Sequence, residues 1–302
     1  MVKRGLSYYI KRDYLLYLML LIPIAYILTF KYAPLYGIQI AFKNYNIFEG
    51  ITSSPWNQFE TFKQIFSSKQ FFQVVRNTMV LNGLDLIVGF PAPIILAILL
   101  NELLWTKFKR MSQTILYLPH FLSWVIIGGI VAQLFSPTGM LNSLIVDMGG
   151  QTYPFLTDKF VWVGTYVFVG LWQNAGWGTI LYLAAMTGID NQLYEAAEAD
   201  GAGRLRKIWH ITLPGIRPTI VILLILQLGN IMAINFDRPF NIQNNLVMDF
   251  GDVISTYVYR VGIQSADFSL GTAVGLFQSV ICMIFLVSSN FISRKLGEDG
   301  IW

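Results

Sequence analysis

Long apolar runs separated by polar segments dominate the pattern along this chain. A bilayer core about 30 Å thick needs roughly 20 mostly apolar residues for each crossing helix. Stretches of that length predict six transmembrane helices, with the termini on the same side of the membrane. They lie at 14–32, 79–103, 114–135, 160–186, 219–236 and 270–292. The expected fold class is therefore all-α, a polytopic membrane protein, and the whole chain (1–302) is expected to form a single transmembrane domain.

Composition supports this membrane assignment. Of 302 residues, 55% are hydrophobic and 13% are charged, about half the charge of a typical soluble domain. Asp85 tests the second span, because a central Asp costs about 2.5–3.5 kcal/mol on insertion scales and each Leu, Ile, Val or Phe returns about 0.3–0.6 kcal/mol. Residues 86–100 contain ten such side chains, so the span is retained. The lone Cys282 lies in an apolar run and is read as a small buried hydrophobe.

Basic residues set the orientation. If both termini are cytoplasmic, thirteen of the 21 Lys and Arg residues face the cytoplasm, as the positive-inside rule favours. They are residues 3, 4, 11, 12, 107, 109, 110, 204, 206, 207, 217, 294 and 295. The basic start resembles that of a signal peptide, but no small-residue cleavage site follows the first span, which predicts an uncleaved anchor.

The external segment 35–76 is long and rich in aromatic residues. Phe59, Phe62 and Phe66 recur at helical spacing with polar residues between them, which predicts an amphipathic helix. Two interpretations stay open, a helix in the membrane interface and a helix packed on the outer rim of its own protein.

The cytoplasmic loop 187–217 is rich in charged residues and contains Gly and Pro residues that interrupt regular structure. Asp190 or Asn191 can cap a short helix with a small apolar stripe at Leu193, Ala196 and Ala197. Gly201 is expected to end that helix, since Gly adopts left-handed backbone readily. A second short basic helix is expected at 204–207, with Leu213-Pro214 closing the loop. From physics alone, the hairpin either docks on another protein or lies on lipid headgroups and neighbouring helix ends.

This loop resembles the "EAA" loop of ABC-importer permeases. The signature of that loop is E-A-A, three residues, G, nine residues, I-x-L-P. This chain matches it with Glu195-Ala196-Ala197, Gly201, Ile211 and Leu213-Pro214. The stretch "GWGTILYLAAMTGIDNQLYEAAEADGAG" is similar to the sugar-importing branch. "KYAPLYGIQIAFKNYN" is similar to its LplB-like group, permeases for complex oligosaccharides.

The resemblance implies a type I ABC-importer-like fold in a bacterial cell membrane, with this chain as half of a permease dimer of two unlike chains. The expected partners are a second permease, a cytoplasmic ABC ATPase dimer that binds ATP and Mg, and an extracytoplasmic sugar-binding protein, with lipid around them and no nucleic acid. The ATPase-coupling contact would be formed by Glu195, Ala196, Ala197, Asp200, Gly201, Ala202, Arg204, Leu213 and Pro214.

Enzymatic chemistry is not expected. The chain has no G-x-x-x-x-G-K-[ST] phosphate loop, so it carries no ATP-hydrolysing site of that type and no cofactor of its own. His120 and His210 lack metal-ligand spacing and are read as structural residues. No convincing catalytic triad is present, and no catalytic or metal site is assigned.

Polar residues within the predicted spans are candidates for a cargo path, because such residues usually face a bundle interior or pathway. Amides and a carboxylate beside Trp suit a sugar, which bonds through its hydroxyls and stacks its C–H faces on aromatic rings. The alternative is that each merely bonds between helices, at about 0.6 kcal/mol. The candidates are Trp172, Gln173, Asn174, Trp177, Gln227, Asn230, Asn235, Asp237 and Gln278.

Two other function classes stay open at this stage. One is an ATP-independent secondary transporter or channel, although the central spans show no matched pair of broken, charged helices. The other is an assembly subunit of another importer with no path of its own.

Overall fold

The computed structural model describes residues 12–297 and 300–302, and its regular structure there is helical apart from one isolated bridge between Lys43 and Trp56. In chain order the helices are α1 Tyr14–Phe42, α2 Gly50–Ser53, α3 Glu60–Ser67, α4 Lys69–Asn101, α5 Thr106–Tyr117, α6 Trp124–Phe135, α7 Met140–Asp147, α8 Lys159–Thr187, α9 Asn191–Ala199, α10 Arg204–Gly229, α11 Asp237–Ile242, α12 Met248–Gly251, α13 Ile254–Val258 and α14 Phe268–Lys295. The all-α prediction is confirmed.

Five segments of the described chain are long and apolar enough to cross a membrane: α1, α4, Trp124–Asp147 (α6 with α7), α10 and α14. The predicted fourth span matches α8, which has 29 residues but is not among these five. Eleven of its residues are buried, whereas no residue in the most apolar window of α1 is buried. A helix packed largely against protein needs less apolar surface for lipid, so α8 can lack the strongly apolar window that the other five segments have.

The predicted third span, 114–135, is not one helix. α5 ends at Tyr117, a 3-10 turn follows at Leu118–Phe121, and α6 begins at Trp124. Pro119 cannot donate a backbone hydrogen bond, and the Ser123 hydroxyl accepts from the Ile126 amide to start α6. The sequence analysis read the apolar run correctly but missed this break.

The predicted fifth span, 219–236, is shifted toward the cytoplasm. The basic segment Arg204–Lys207 is the first turn of α10, which passes through a π-helical turn at Ile208–Thr212 and continues past Pro214. The helical chain is thus continuous from Arg204, and its α-helical geometry resumes at Leu213, where Leu213-Pro214 was expected to close the loop. At the other end the helix stops at Gly229, and residues 230–236 are not helical.

α8 lies at the centre of the bundle, packed most extensively on the second half of α4 and also on α5 and α10. The core clusters it joins hold Trp162 and Tyr166 in its outer half and Tyr182 and Met186 in its inner half. A third cluster, around Phe71 and Ala273, joins α4 to α14 near the outer surface.

The predicted external helix is α3. Ile65 is buried, and Phe62 packs on the core and lies 5.2 Å, between ring centroids, from Phe42 at the end of α1. Phe59 and Phe66 are more exposed. These contacts favour packing on the protein's own outer rim over free insertion into the interface. α1 also continues to Phe42, ten residues beyond the predicted 32, so the external loop begins later than 35.

Candidate functional site

The cytoplasmic loop is a helical hairpin whose first helix is well defined at both ends. The Asp190 carboxylate accepts from the Gln192 amide at 2.9 Å and so caps α9. At the other end Gly201 has φ +73°. Its amide donates to the Glu198 carbonyl at 2.9 Å and that of Ala202 donates to the Ala197 carbonyl at 2.8 Å. This is a Schellman cap, which needs left-handed backbone at the Gly position.

α9 presents most of its side chains to solvent. Glu195, Ala196 and Asp200 are exposed, and none of the residues of α9 is buried. A shallow cavity of about 380 Å³ lies between α9 and the start of α10; it is lined by Ala197, Asp200, Ala202, Arg206, Lys207, His210 and Ile211. Arg204 and Pro214 are exposed and Leu213 is half-buried. Of the nine predicted coupling residues, Ala197, Asp200 and Ala202 thus line this cavity.

One ion pair holds the two arms of the hairpin together. Lys207 Nζ donates to Glu198 Oε1 at 2.6 Å. That hydrogen bond, with the lysine charge, lowers the pKa of Glu198 below its ordinary value of 4.5. The Tyr194 hydroxyl also meets the Thr212 hydroxyl at 2.9 Å. These two contacts therefore fix α9 against α10.

The break after α10 lies deep in the bundle. A Cβ on Gly229, where α10 ends, would come 2.7 Å from Leu286 Cδ1, and Leu286 lies in the cytoplasmic half of α14. The Asn82 side-chain amide donates to the Ile231 carbonyl at 2.6 Å. Non-helical backbone at membrane depth is tolerated only where protein surrounds it or where it lines a cavity, and here both conditions hold.

Two cavities meet at this break. The inner cavity, about 340 Å³, extends toward the cytoplasm along α4 and α8; it is lined by Asp85, Gly89, Pro93, Gly170, Leu171, Asn174, Ala175, Trp177, Gly178, Gln227 and Arg238. The outer cavity, about 210 Å³, is lined by Asn82, Asp85, Trp124, Gln173, Asn174, Ala233, Ile234, Asn235 and Arg238. Asp85, Asn174 and Arg238 belong to both walls.

A partly buried ion pair stands at that shared wall. Arg238 Nη1 donates to Asp85 Oδ2 at 2.5 Å and Nη2 donates to Asp85 Oδ1 at 3.2 Å. The same Nη2 donates to the Tyr166 carbonyl at 2.6 Å, and the guanidinium lies 3.7 Å above the Tyr166 ring. Gly170 provides room for the guanidinium, since a Cβ at this position would come 2.2 Å from Arg238 Cζ.

The predicted path residues divide into two groups. Gln173, Asn174, Trp177, Gln227 and Asn235 line one cavity or the other. Trp172, Asn230, Asp237 and Gln278 line neither cavity. The assignment of all of them to cargo stays a prediction.

Sequence reasoning did not find Arg238. Asp85 was treated as a charge that the second span tolerates and as a polar span residue without a named partner, and Arg238 fell just beyond the predicted fifth span. The sequence indicated that a partner exists, because an ionisable residue within a span usually has one of opposite charge inside the bundle, but it did not indicate which residue that partner is. His120, read as structural, stacks on Trp177 with ring centroids 4.6 Å apart.

Comparison with known families settles the class of protein. The family described as binding-protein-dependent transport system inner membrane component matches residues 89–298. The chain belongs to this family. It is a multi-pass permease of the inner membrane and a transport subunit, as the sequence resemblance implied. Membership favours this reading over an ion-driven transporter or an assembly subunit.

Individual relatives cover nearly the whole permease. It is 43% identical to Protein LplB of Bacillus subtilis over 99% of this chain and 95% of that protein. It is also 43% identical to YteP of the same organism, a polygalacturonan/rhamnogalacturonan transport system permease protein, over 99% of this chain and 94% of that protein.

Solved structures share the fold. A chain of a bacterial ABC transporter involved in the import of the acidic polysaccharide alginate is 40% identical, with a TM-score of 0.89 over 97% of this permease and 99% of that chain. A chain of an alginate transporter in complex with an alginate pentasaccharide-bound periplasmic protein is 39% identical, with a TM-score of 0.90 over 99% and 100% of the two chains.

Proposed function

We propose that this permease imports oligosaccharides as one half of a dimer with a second, unlike permease. A separate cytoplasmic ABC ATPase, which binds ATP and Mg, docks on α9 and drives the cycle, and an extracytoplasmic sugar-binding protein delivers the cargo. The similarity to a polygalacturonan/rhamnogalacturonan permease and to an alginate importer supports sugars as cargo, including acidic ones.

The observation that carries the cargo proposal is the pair of polar cavities at the break in the fifth span. Ligand sites combine aromatic or apolar walls with a few polar groups that fix orientation. Here Trp124 and Trp177 supply ring faces, and the amides of Asn82, Asn174 and Gln227 supply donors and acceptors. A sugar chain passing through this region meets both kinds of surface.

Trp177 and Trp172 provide a matched test of the cargo site. Both lie on α8 with similar exposure, 43% and 44%, but of the two only Trp177 lines the inner or the outer cavity. In the reconstituted importer, Trp177→Ala is expected to lower oligosaccharide uptake at limiting concentration about tenfold, which equals about 1.4 kcal/mol. Trp177→Phe should restore much of it because it keeps a ring face.

Trp172→Ala is the control and is expected to stay within twofold of the parent protein. Equal losses in the Trp172 and Trp177 variants, or no loss in either, would argue against the assignment of these cavities to the cargo.

The coupling proposal rests on the exposed, Schellman-capped helix α9. Small side chains at Ala196 and Ala197 allow another protein to approach closely, and the cap holds α9 at a set angle to α10. An ATPase that engages α9 would therefore transmit its motion directly to α10 and to the break at its far end.

Gly201 and Gly203 allow the coupling to be tested. A Cβ at either position meets no atom within 4 Å, but only Gly201 has a positive φ. A β-branched residue there is strained, so Gly201→Val is expected to reduce ATPase co-purification at least tenfold while the permease remains folded.

Gly203→Val adds the same side chain on ordinary backbone and should keep most of the bound ATPase. Full ATPase binding and transport by Gly201→Val would remove the coupling role from this cap.

A further inference from the structure

We infer that the Asp85–Arg238 ion pair is a gate that closes the passage between the outer and inner cavities and that must separate for cargo to cross. This inference rests on the proposed transport function and assigns a role to two residues within the same path.

The position of the pair is the first argument. Of all the lining residues, only Asp85, Asn174 and Arg238 belong to both cavities. Along α4, the outer cavity reaches Asn82, on the external side of Asp85, and residues 233–235 of the break also line it, whereas the inner cavity reaches Gly89 and Pro93 on the cytoplasmic side of Asp85. The Arg238 guanidinium donates through Nη1 and Nη2 to the Asp85 carboxylate. This contact therefore stands where one cavity ends and the other begins.

The elements that carry the pair are the second argument. Asp85 is the first residue of a π-helical turn, Asp85–Gly89, within α4. Arg238 is the second residue of α11, which has six residues and follows the non-helical stretch 230–236. π-turns and broken helices are frequent at functional sites because their backbone is held by fewer regular hydrogen bonds. Either side of the pair can move without unwinding a full span.

Unused hydrogen-bonding groups are the third argument. Arg238 is 9% exposed and Tyr166 is fully buried. Yet Arg238 Nε and the Tyr166 hydroxyl have no hydrogen-bond partner among the residues that the structure describes. Buried polar groups are almost always paired, so these two mark a site whose bonding is incomplete in this state. When the guanidinium turns away from Asp85, hydroxyl groups of a passing sugar can bond to both.

Energetics also favour a gate over a fixed structural link. A buried ion pair gains little net stability, since the loss of hydration offsets most of the attraction. The free-energy change on exchanging the bonds between Asp85 and Arg238 for bonds to a polar cargo is therefore close to zero. Removal of one partner alone leaves an uncompensated charge in the bundle, so the test must neutralise both.

The test uses thiol labelling from outside the membrane. In a Cys282→Ser background, Gly89→Cys reports on the inner cavity, where an added Cβ meets no atom within 4 Å, and Ala233→Cys reports on the outer cavity. With the pair intact in the full complex at rest, a membrane-impermeant maleimide should modify Ala233→Cys and leave Gly89→Cys nearly unlabelled.

Neutralisation by Asp85→Asn with Arg238→Gln should then raise the labelling rate of Gly89→Cys at least tenfold and leave that of Ala233→Cys within twofold. The shorter Gln side chain cannot span the same distance. Unchanged labelling of Gly89→Cys in this variant, or equally fast labelling with the pair intact, would overturn the gate.

A second measurement needs no change at the pair. In Gly89→Cys protein with Asp85 and Arg238 intact, turnover with ATP and the sugar-loaded binding protein should raise the labelling rate above that at rest. The absence of any increase during measured uptake would also overturn the gate. The resting comparison uses the full complex but requires neither ATP nor sugar, so it distinguishes failure of the gate from failure of the proposed transport function.

Discussion

At the scale of single residues, Gly170 decides whether a charge can enter the centre of the bundle. The Arg238 guanidinium occupies the space that a Gly170 side chain would take, between the Tyr166 ring and Asp85. A methyl group at that point therefore acts on the ion pair and not on apolar packing.

Gly170→Ala is expected to lower the free energy of unfolding in detergent by about 1–3 kcal/mol, the usual cost of overpacking, because the guanidinium must leave its position. Gly164→Ala is the matched control on α8, since a Cβ there meets no atom within 4 Å. Equal stability of the two variants would show that Arg238 relocates without cost.

At the scale of elements, the hairpin of α9 and α10 is joined by the exposed pair Glu198–Lys207. The folded-state pKa of Glu198 is below its ordinary value. The Glu198–Lys207 pair therefore contributes to hairpin stability above pH 4.5, and this contribution is lost as the pH falls through the lowered folded-state pKa of Glu198.

A carboxyl titration followed by NMR with labelled Glu should give Glu198 a midpoint below 4.5. Lys207→Gln removes the donor and the charge together, and the midpoint is expected to return to the ordinary value of 4.5. A midpoint that is the same with and without Lys207 would mean that the pair does not form in solution.

At the scale of the whole molecule, orientation decides what each surface can meet. With both termini inside, the exposed Phe48 lies outside the cell and the exposed Gly203 lies in the cytoplasm. Only this arrangement would present α9 to the proposed cytoplasmic ATPase and the outer cavity to the proposed sugar cargo.

In the Cys282→Ser background, an impermeant thiol reagent added to intact cells should label Phe48→Cys. It should label Gly203→Cys only after the membrane is permeabilised. The reverse pattern would contradict the topology and, with it, the coupling proposal.

Much of the fold followed from local sequence alone. Apolar run length predicted the crossing segments, and basic residues predicted their orientation, because the membrane acts on each segment separately. The cap at Gly201 was also predictable, since a Schellman motif depends on a few consecutive residues.

Tertiary structure decided the rest, because these features depend on contacts between distant segments. The fifth span ends at Gly229 although the apolar run continues, since surrounding helices accommodate the irregular backbone. Asp85 and Arg238 are 153 residues apart in sequence, and no local pattern shows that they meet. Local sequence thus determined the membrane segments and the EAA loop, whereas the packing of α4, α8 and α11 determined that Asp85 and Arg238 meet between two polar cavities.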